Sequence, residues 1–432
     1  MVRTGRLSSR RRAASVALTI TAIVVVGACS DDGDATPPSS TSTTSTTVAD
    51  APGADDQLTV GVLLPTTGLG SDLGNAMIDA IQLAQQDIDA VGVKFRDVDL
   101  ITVDESSLEG ELPPTLDDLF GAPVDAVIGP ASNLLAERLL PITIRAKVMT
   151  CSPTASAMSL DDVPDDGPLF IRTIASDRLQ ALALAAQLDA EGTDIVLAYV
   201  DDPFGRPFVA EVRDRLSELG ATVLDSVPFD PLESDYTSIA RRLAATGAPT
   251  IGIVGDPEAG PRLLQTLAPE IDPAIVTSIW MNDAMRVPTT GSYRRLDRSI
   301  TELLHGVSTH SRYVDPAATG TSIPVLAEPF AANAYDCMNV IALAADQAKF
   351  ISGPDMADEI VPLTSGGTSC SSYRSCKTAI EGGRGIDYNG PTDPSDVGLT
   401  IDERGDVVEA QFDLWSIDEN GLDVTGGSVR VP

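Results

Sequence analysis

The residues best placed to do chemistry sit in short turns where an apolar run gives way to a helical pattern. In LTVGVLLPTTGLGSDLG, residues 58–74, the apolar run ends at Pro65, glycines follow at 68, 70 and 74, and a periodic segment begins behind them. A strand, a glycine-rich turn and a helix N-terminus together suit an anion, because unpaired backbone N–H groups and the helix dipole converge there. The spacing here, G-x-G-x-x-x-G, is one residue longer than the dinucleotide fingerprint. VIGPASN at 127–133 repeats the arrangement: Ser132 or Asn133 suits a helix cap, and free N–H groups there would also receive a carboxylate. TCSPTAS at 150–156 offers the Thr154 and Ser156 hydroxyls, YVDDPFGRPF at 199–208 puts Phe204 at a helix entrance, and a last turn falls at 281–284. Capping and turn formation account for each turn taken alone. Their repetition at successive strand ends argues for the wall of a binding cleft.

Catalytic chemistry is poorly supplied. His305 and His310 are the only histidines, so neither an H-E-x-x-H helix nor a multi-histidine metal centre can be built. There is no G-x-S-x-G elbow and no G-x-x-x-x-G-K-[ST] loop. The expectation is a binding protein, not an enzyme, with no metal and no cofactor. A formal charge of −34, from 63 acids against 29 bases, also argues against nucleic acid, whose phosphates demand a basic surface.

The N-terminus reads as an export signal. Arg3, Arg6, Arg10, Arg11 and Arg12 precede an apolar run from Ala13 to Ala28 that is short for a membrane span. The run ends Val26-Gly27-Ala28-Cys29, which resembles the lipobox of bacterial lipoproteins. That resemblance implies removal of residues 1–28 and diacylation of Cys29, and two acyl chains anchor a protein firmly to a bilayer. Residues 29–57 are rich in Pro, Ser, Thr and Asp, lack a periodic apolar face, and read as a disordered tether.

The elements that must position the turns follow from periodicity. Apolar strand patterns occur at 58–64, 98–103, 124–128 and 147–151, with a helix over 75–90 whose Met77, Ile81, Ala84 and Ile88 share a face. After DDVPDDGPL the alternation restarts, with strands at 194–200, 222–227, 250–254 and 275–280. Helices near 176–191, 205–219, 235–246 and 258–268 alternate with them. An alanine-rich helix is expected from about 324 to 351, and the tail reads as a hairpin turning at Glu403-Arg404-Gly405-Asp406. The fold class is α/β, with two doubly wound parallel-sheet lobes. Ligands in such sheets bind beyond the carboxyl ends of the strands, where these turns lie.

Export permits disulfides. The spacing of Cys370 and Cys376 suits a local bridge, while Cys151 and Cys337 either pair with each other or stand as buried thiols. A zinc site at Cys370 and Cys376 would lack nearby histidine or a second cysteine pair.

Taken in order, VGVLLPTTGLGSDLGNAMIDAIQLAQQDID, DAVIGPASN, CSPTAS, FIRTIASDRLQA, DDPFGRPF, Asp235-Tyr236 and AANAYDCMNVIALA resemble one family. It is the type I periplasmic binding proteins, in the branched-chain amino acid (Leu/Ile/Val) group of ABC transporter substrate-binding components. The resemblance covers about Leu58 to Ile417. It implies a Venus-flytrap architecture in which two lobes, joined by a three-crossover hinge, close on a small ligand. Residues 58–151 plus about 325–385 would form lobe 1, about 172–305 lobe 2, and about 386–432 a C-terminal hinge and strand segment. The crossings would fall near 152–172, 305–325 and 385–400.

Carried over by position, the family's ligand-facing serine falls at Asn133, and its Ser-Pro turn falls on Thr154 and Ser156. Its covering tyrosine is Phe204, its acid for the ligand ammonium is Asp283 or Asn282, and an aromatic position before Gly74 is Leu73. The exchanges at 133, 204 and 73 alter hydrogen bonding and stacking, on which buried sites discriminate strongly. The implied function is a lipid-anchored receptor on the extracytoplasmic face of a bacterial membrane. It would deliver an amino acid or amide-like ligand to an ABC permease. The alternative is the same fold acting as a ligand sensor or cell-surface interaction protein.

Overall fold

The computed structural model describes residues 57–432, apart from 95–96, 107–115, 117–118, 120, 122–123, 165–166, 193, 287–292, 294–295, 297, 311–327, 392–396 and 419. The export signal, Cys29 and the tether up to residue 56 lie outside the described residues.

The first sheet holds β1 (Gln57–Leu64), β2 (Asp97–Asp104), β3 (Ala126–Ile128), β4 (Met149–Ser152) and β5 (Phe170–Arg172). Their order is β2-β1-β3-β4-β5, with every pairing parallel. Residues on both faces of β1 are buried, as a sheet covered by helices on both sides requires. Helix α1 (Ser71–Asp89) buries Met77, Ala80, Ile81, Ala84 and Ile88 at helical spacing, and α2 (Asn133–Ala146) links β3 to β4. Strand β4 begins two residues later than periodicity suggests, because Lys147 caps α2 in the left-handed region at φ 58°.

The second sheet has seven strands in the order β14-β13-β10-β9-β8-β6-β7. Strands β6 (Asp194–Val200), β7 (Thr222–Phe229), β8 (Thr250–Val254), β9 (Ser278–Met281) and β10 (Leu304–Thr309) run parallel. Helices α3 (Asp177–Glu191), α4 (Gly205–Leu219), α5 (Thr237–Ala245) and α6 (Ala259–Leu267) alternate with them. Strands β13 (Ala410–Ile417) and β14 (Asp423–Val431) join antiparallel, so this sheet is mixed at one end.

The tail hairpin is therefore β13 and β14, and the expected turn at 403–406 is different in kind. Only an isolated bridge, Ile401 to Val407, flanks it. The turn is docked on β5: Arg172 N donates to Gly405 O at 3.0 Å, and Gly405 takes φ +86°. A Cβ on residue 405 would lie 2.0 Å from Phe170 O.

The alanine-rich helix is also shorter than expected. Helix α7 spans Ala331–Gln347, the chain turns extended at Ala348, and α8 (Gly353–Leu363) restarts under a Ser352 cap with a proline in its first turn. Nearly all of α7 is buried, which is why its pattern lacks a polar face. It packs into the first lobe's core with α1 and β1. Two disulfides lie beside it. Cys151 at the end of β3's neighbour β4 bridges to Cys337 on α7, and Cys370 bridges to Cys376. Among the described residues no helix is long and apolar enough to cross a membrane.

The glycines of the opening turn act on packing. A Cβ at Gly74 would sit 1.8 Å from Pro65 O, and one at Gly205 in the second lobe would sit 2.0 Å from Val200 O. Both helices thus press against the carbonyl that ends the preceding strand. Gly74→Ala should cost roughly 1–3 kcal/mol through overpacking. The measurement is urea unfolding: a lower midpoint at unchanged slope is expected, and an unchanged midpoint would contradict the packing role.

Candidate functional site

On the first lobe, the end of β2 organises the turns. Asp104 Oδ1 accepts from Thr66 N at 2.8 Å and Ser106 N at 2.9 Å, and its Oδ2 accepts from Thr67 Oγ1 at 2.6 Å. Burial pushes this carboxyl up, but those hydrogen bonds outweigh it and hold the group well below the usual carboxylate range. Asp104 therefore fixes the opening turn.

Glu105, only 1% exposed, points the other way and accepts from Ala131 N and Ser132 N, each at 2.8 Å. Burial pushes its carboxyl up to about 7 against the pull of those two amides, and the Asp104 charge adds to the rise. The N–H pair ahead of α2, which sequence reasoning offers to a ligand carboxylate, already holds one of the protein's own.

Asn133, Thr154 and Ser156 are brought together by the turn after β4. Asn133 Oδ1 accepts from Ala157 N at 3.1 Å, and Thr154 Oγ1 donates to Ala131 O at 2.8 Å. Ser132 is the cap of α2, accepting from Leu135 N. Ser156 lies in the β4–β5 connection: its carbonyl accepts from Asp177 N at 2.8 Å, and its hydroxyl helps to lower the Asp177 carboxyl.

Asp177 opens α3 behind the Ser176 cap and is 6% exposed. Burial pushes its carboxyl up to about 7, and the charges of Asp283 and Asp161 push the same way. The Ser156 hydroxyl and the more distant Arg172 oppose them. Asp283 follows β9, donates its N–H to Gln180 Oε1 at 3.3 Å, and keeps partial access to solvent. Its depth among protein atoms still pushes its carboxyl up, against hydrogen bonds that include one from the Gln180 side chain. Its neighbour Asn282 is buried and bonds the backbone of Gly255, taking Gly255 N at 2.8 Å and giving to Gly255 O at 3.1 Å, and its side chain also helps to lower the Asp283 carboxyl. Of the two, the open acid is Asp283.

Asn133 bonds Ala157 N, the neighbouring Ser156 bonds Asp177, the Asp283 charge acts on Asp177, and Asp283 N bonds Gln180. Leu73 and Phe204 are not bonded into this set. Leu73 is half-buried against the first lobe's core, and the Phe204 ring packs on Phe208 at 5.4 Å. Sequence reasoning missed Asp177, Gln180 and Glu105. Asp177 lies inside the quoted segment FIRTIASDRLQA, where an acid in a first helical turn reads as ordinary dipole stabilisation.

The nearby arginines are occupied. Arg172, fully buried, pairs with Asp406 at 2.6 Å and Asp161 at 2.5 Å, and Arg178 pairs with Asp161 and Glu211. Neither Asp177 nor Asp283 forms an ion pair among the described residues, and no metal-ligating group of three occurs among them. A separate groove of about 400 Å³ runs along α2 between Leu140, Ile144, Leu160 and Val163, away from these acids.

Two sheets with their helices, and acids and hydroxyls gathered at strand ends, are what a solute receptor of this architecture needs. The profile of the periplasmic binding proteins matches residues 57–272, half of the chain. The chain belongs to the periplasmic binding protein family. It is 24% identical over 337 residues to Glutamate receptor 3.1 of Oryza sativa subsp. japonica, covering 70% of this chain but 34% of that receptor. The chain thus spans about a third of that relative's length. A Leu/Ile/Val-binding protein of Rhizobium johnstonii is 22% identical over 377 residues, covering 85% of this chain and 94% of its own. Among solved structures, an ABC transporter substrate-binding protein from Desulfitobacterium hafniense in complex with Leu superposes with a TM-score of 0.62. It is 19% identical and covers 85% of this chain and 99% of its own, so it shares the type I fold.

The raised acids set a pH dependence. In the folded protein Asp177 and Glu105 hold protons up to about 7, whereas in the unfolded chain they release them near their ordinary values of 3.8 and 4.5. The folded state binds more protons across that window, so their contribution favours folding at its acid end and is lost as pH rises through about 7. Asp177→Asn should raise the Tm of the ligand-free protein at pH 8 and flatten the fall between about pH 4 and pH 7. A variant melting below the wild type at pH 8, with the slope intact, would contradict this electrostatic assignment.

Proposed function

We propose that this protein is a lipid-anchored, extracytoplasmic solute receptor that captures a small amino acid or amide-like ligand between two lobes and hands it to an ABC permease. The observation that carries the reading is the Asp177–Asp283 pair, which has no basic partner among the described residues and is reached through Ser156 from the Asn133 turn. An ammonium group settling there would offset the burial that raises both carboxyls and the Asp283 charge that adds to the rise at Asp177. Thr154, Ser156 and Asn133 would line the first-lobe side, Asp283 and Gln180 the second, with Phe204 and Leu73 covering apolar parts of the ligand. The anchor would be the acylated Cys29, and residues 29–57 would be the tether.

The lobe boundaries follow the same reading: 58–151 with about 325–385, against about 172–305, with 386–432 returning through the hinge. Binding without turnover is favoured by the thin catalytic inventory, and no cofactor is called for. A second reading, a ligand sensor, draws on the likeness to a plant receptor of which the match covers 34%. It predicts the same cleft with a different partner.

The test is a thermal melt of the purified chain against amino acids, amides and small organic acids. A true ligand at 100 times its Kd stabilises by about 2.7 kcal/mol. Asp283→Asn should weaken that ligand by about 1.5–3 kcal/mol, the range for a hydrogen bond to a charged group. No shift from any compound would remove the solute-receptor reading, and an unaffected D283N would place the ligand elsewhere.

A further inference from the structure

We infer that the ligand is a cation whose recognition does not use a carboxylate of its own, because Glu105 already fills the carboxylate seat ahead of α2 while Asp177 and Asp283 stand open to a positive group. The inference rests on the proposed cleft and narrows what it admits.

The first observation is the seat. A ligand carboxylate entering the α2 side would look for unpaired N–H groups at the helix start. Ala131 N and Ser132 N both donate to Glu105 at 2.8 Å, the Ser132 hydroxyl is committed to Leu135 N, and the Thr154 hydroxyl is committed to Ala131 O. A second carboxylate arriving there would meet the Glu105 charge instead of free donors. The arginines around these strand ends are already paired among the described residues. Arg172 and Arg178 are held by Asp161, Asp406 and Glu211, Arg206 by Asp201, and Arg286 by Asp413 and Asp423.

The second observation is independent of that seat. Asp177 is more than nine-tenths buried, and its side chain meets a hydroxyl and a neighbouring acid where a buried carboxylate ordinarily has a base. Asp283 adds a second carboxylate that keeps access to solvent and is therefore reachable from outside. One ammonium or guanidinium placed between them would donate charge-assisted hydrogen bonds to both. A zwitterion would satisfy that half of the cleft and bring an unmatched negative end to the other. Monoamines, diamines and guanidinium amines satisfy the first half without that conflict.

The experiment uses the purified full chain and three matched pairs of probes that differ in the carboxylate: lysine and cadaverine, arginine and agmatine, leucine and leucinamide. Calorimetric titration should show the carboxylate-free member binding at least about tenfold more tightly in at least one pair, a 1.4 kcal/mol difference. Asp283→Asn should lower that affinity about tenfold or more, and Glu105→Gln should shift the preference within the pair toward the acid by a similar factor. If the acid member binds as well or better in every pair, the cation inference fails while the cleft reading survives. If no probe binds, both fail. If an amine binds and D283N leaves it unchanged, the binding is elsewhere and the inference is overturned. Melting curves of E105Q and D283N at pH 6 verify folding, and D283N alone decides the matter if E105Q does not fold.

Discussion

The structure turns on how one buried guanidinium is neutralised. Arg172 ends the last strand of the first sheet with no exposed surface, and an unpaired charge at such a place would cost several kcal/mol. Asp161, from the connection between β4 and β5, and Asp406, from the returning tail, close on it from two sides. Arg172 also donates to Ala157 O at 3.1 Å, one residue beyond Ser156. The pairing thus pins together the β4–β5 connection, the β5 strand and the docked turn at 402–406. Arg172 pairs with these two acids and not with Asp177, whose carboxyl it lowers only from a distance. The arrangement that locks the junction is the same one that leaves Asp177 and Asp283 without a base.

Those two acids and Glu105 divide the polar groups of the strand ends into two kinds. Asp104, Glu105 and Asn282 stitch turns to neighbouring turns and shape the walls. Asp177, Asp283 and Gln180 lie where such stitching stops. A wall built by internal carboxylates is already supplied with negative charge, which is the ground for the proposed preference for a cation. Family membership supplies the architecture and its closing lobes; the chemistry of this particular cleft lies in these side chains.

Much of the fold was legible in the sequence. The strands at 194–200 and 250–254 and the helix at 205–219 lie where their patterns place them, because a strand buried on both faces and an amphipathic helix each leave a strong local signal. The break after Gln347 was hidden because a fully buried, alanine-rich helix carries no polar stripe whose loss would mark its end. In the tail the turn at 403–406 was legible from its residues, and Ile401 bridges Val407 across it, but its docking on β5, more than 200 residues away in sequence, left no local pattern. The site divides in the same way. Asn133, Thr154, Ser156 and Asp283 sit at strand ends and stand out in type and place. Asp177 looks like any acid in a first helical turn, Glu105 like any acid at a strand end, and the partner of Cys151 lies 186 residues on. Long-range pairing leaves no local pattern, and here it decides which carboxylates are free.

The central claim is that Asp177 is a buried acid with no ion-pair partner among the described residues. The most direct measurement is the titration of its carboxyl carbon by NMR in the ligand-free protein, assigned with Asp177→Asn. The account predicts protonation near pH 7, moving to lower pH when a bound amine supplies the missing charge. Titration at the ordinary aspartate value near 3.8 would show the carboxylate already satisfied within the protein and would contradict the account.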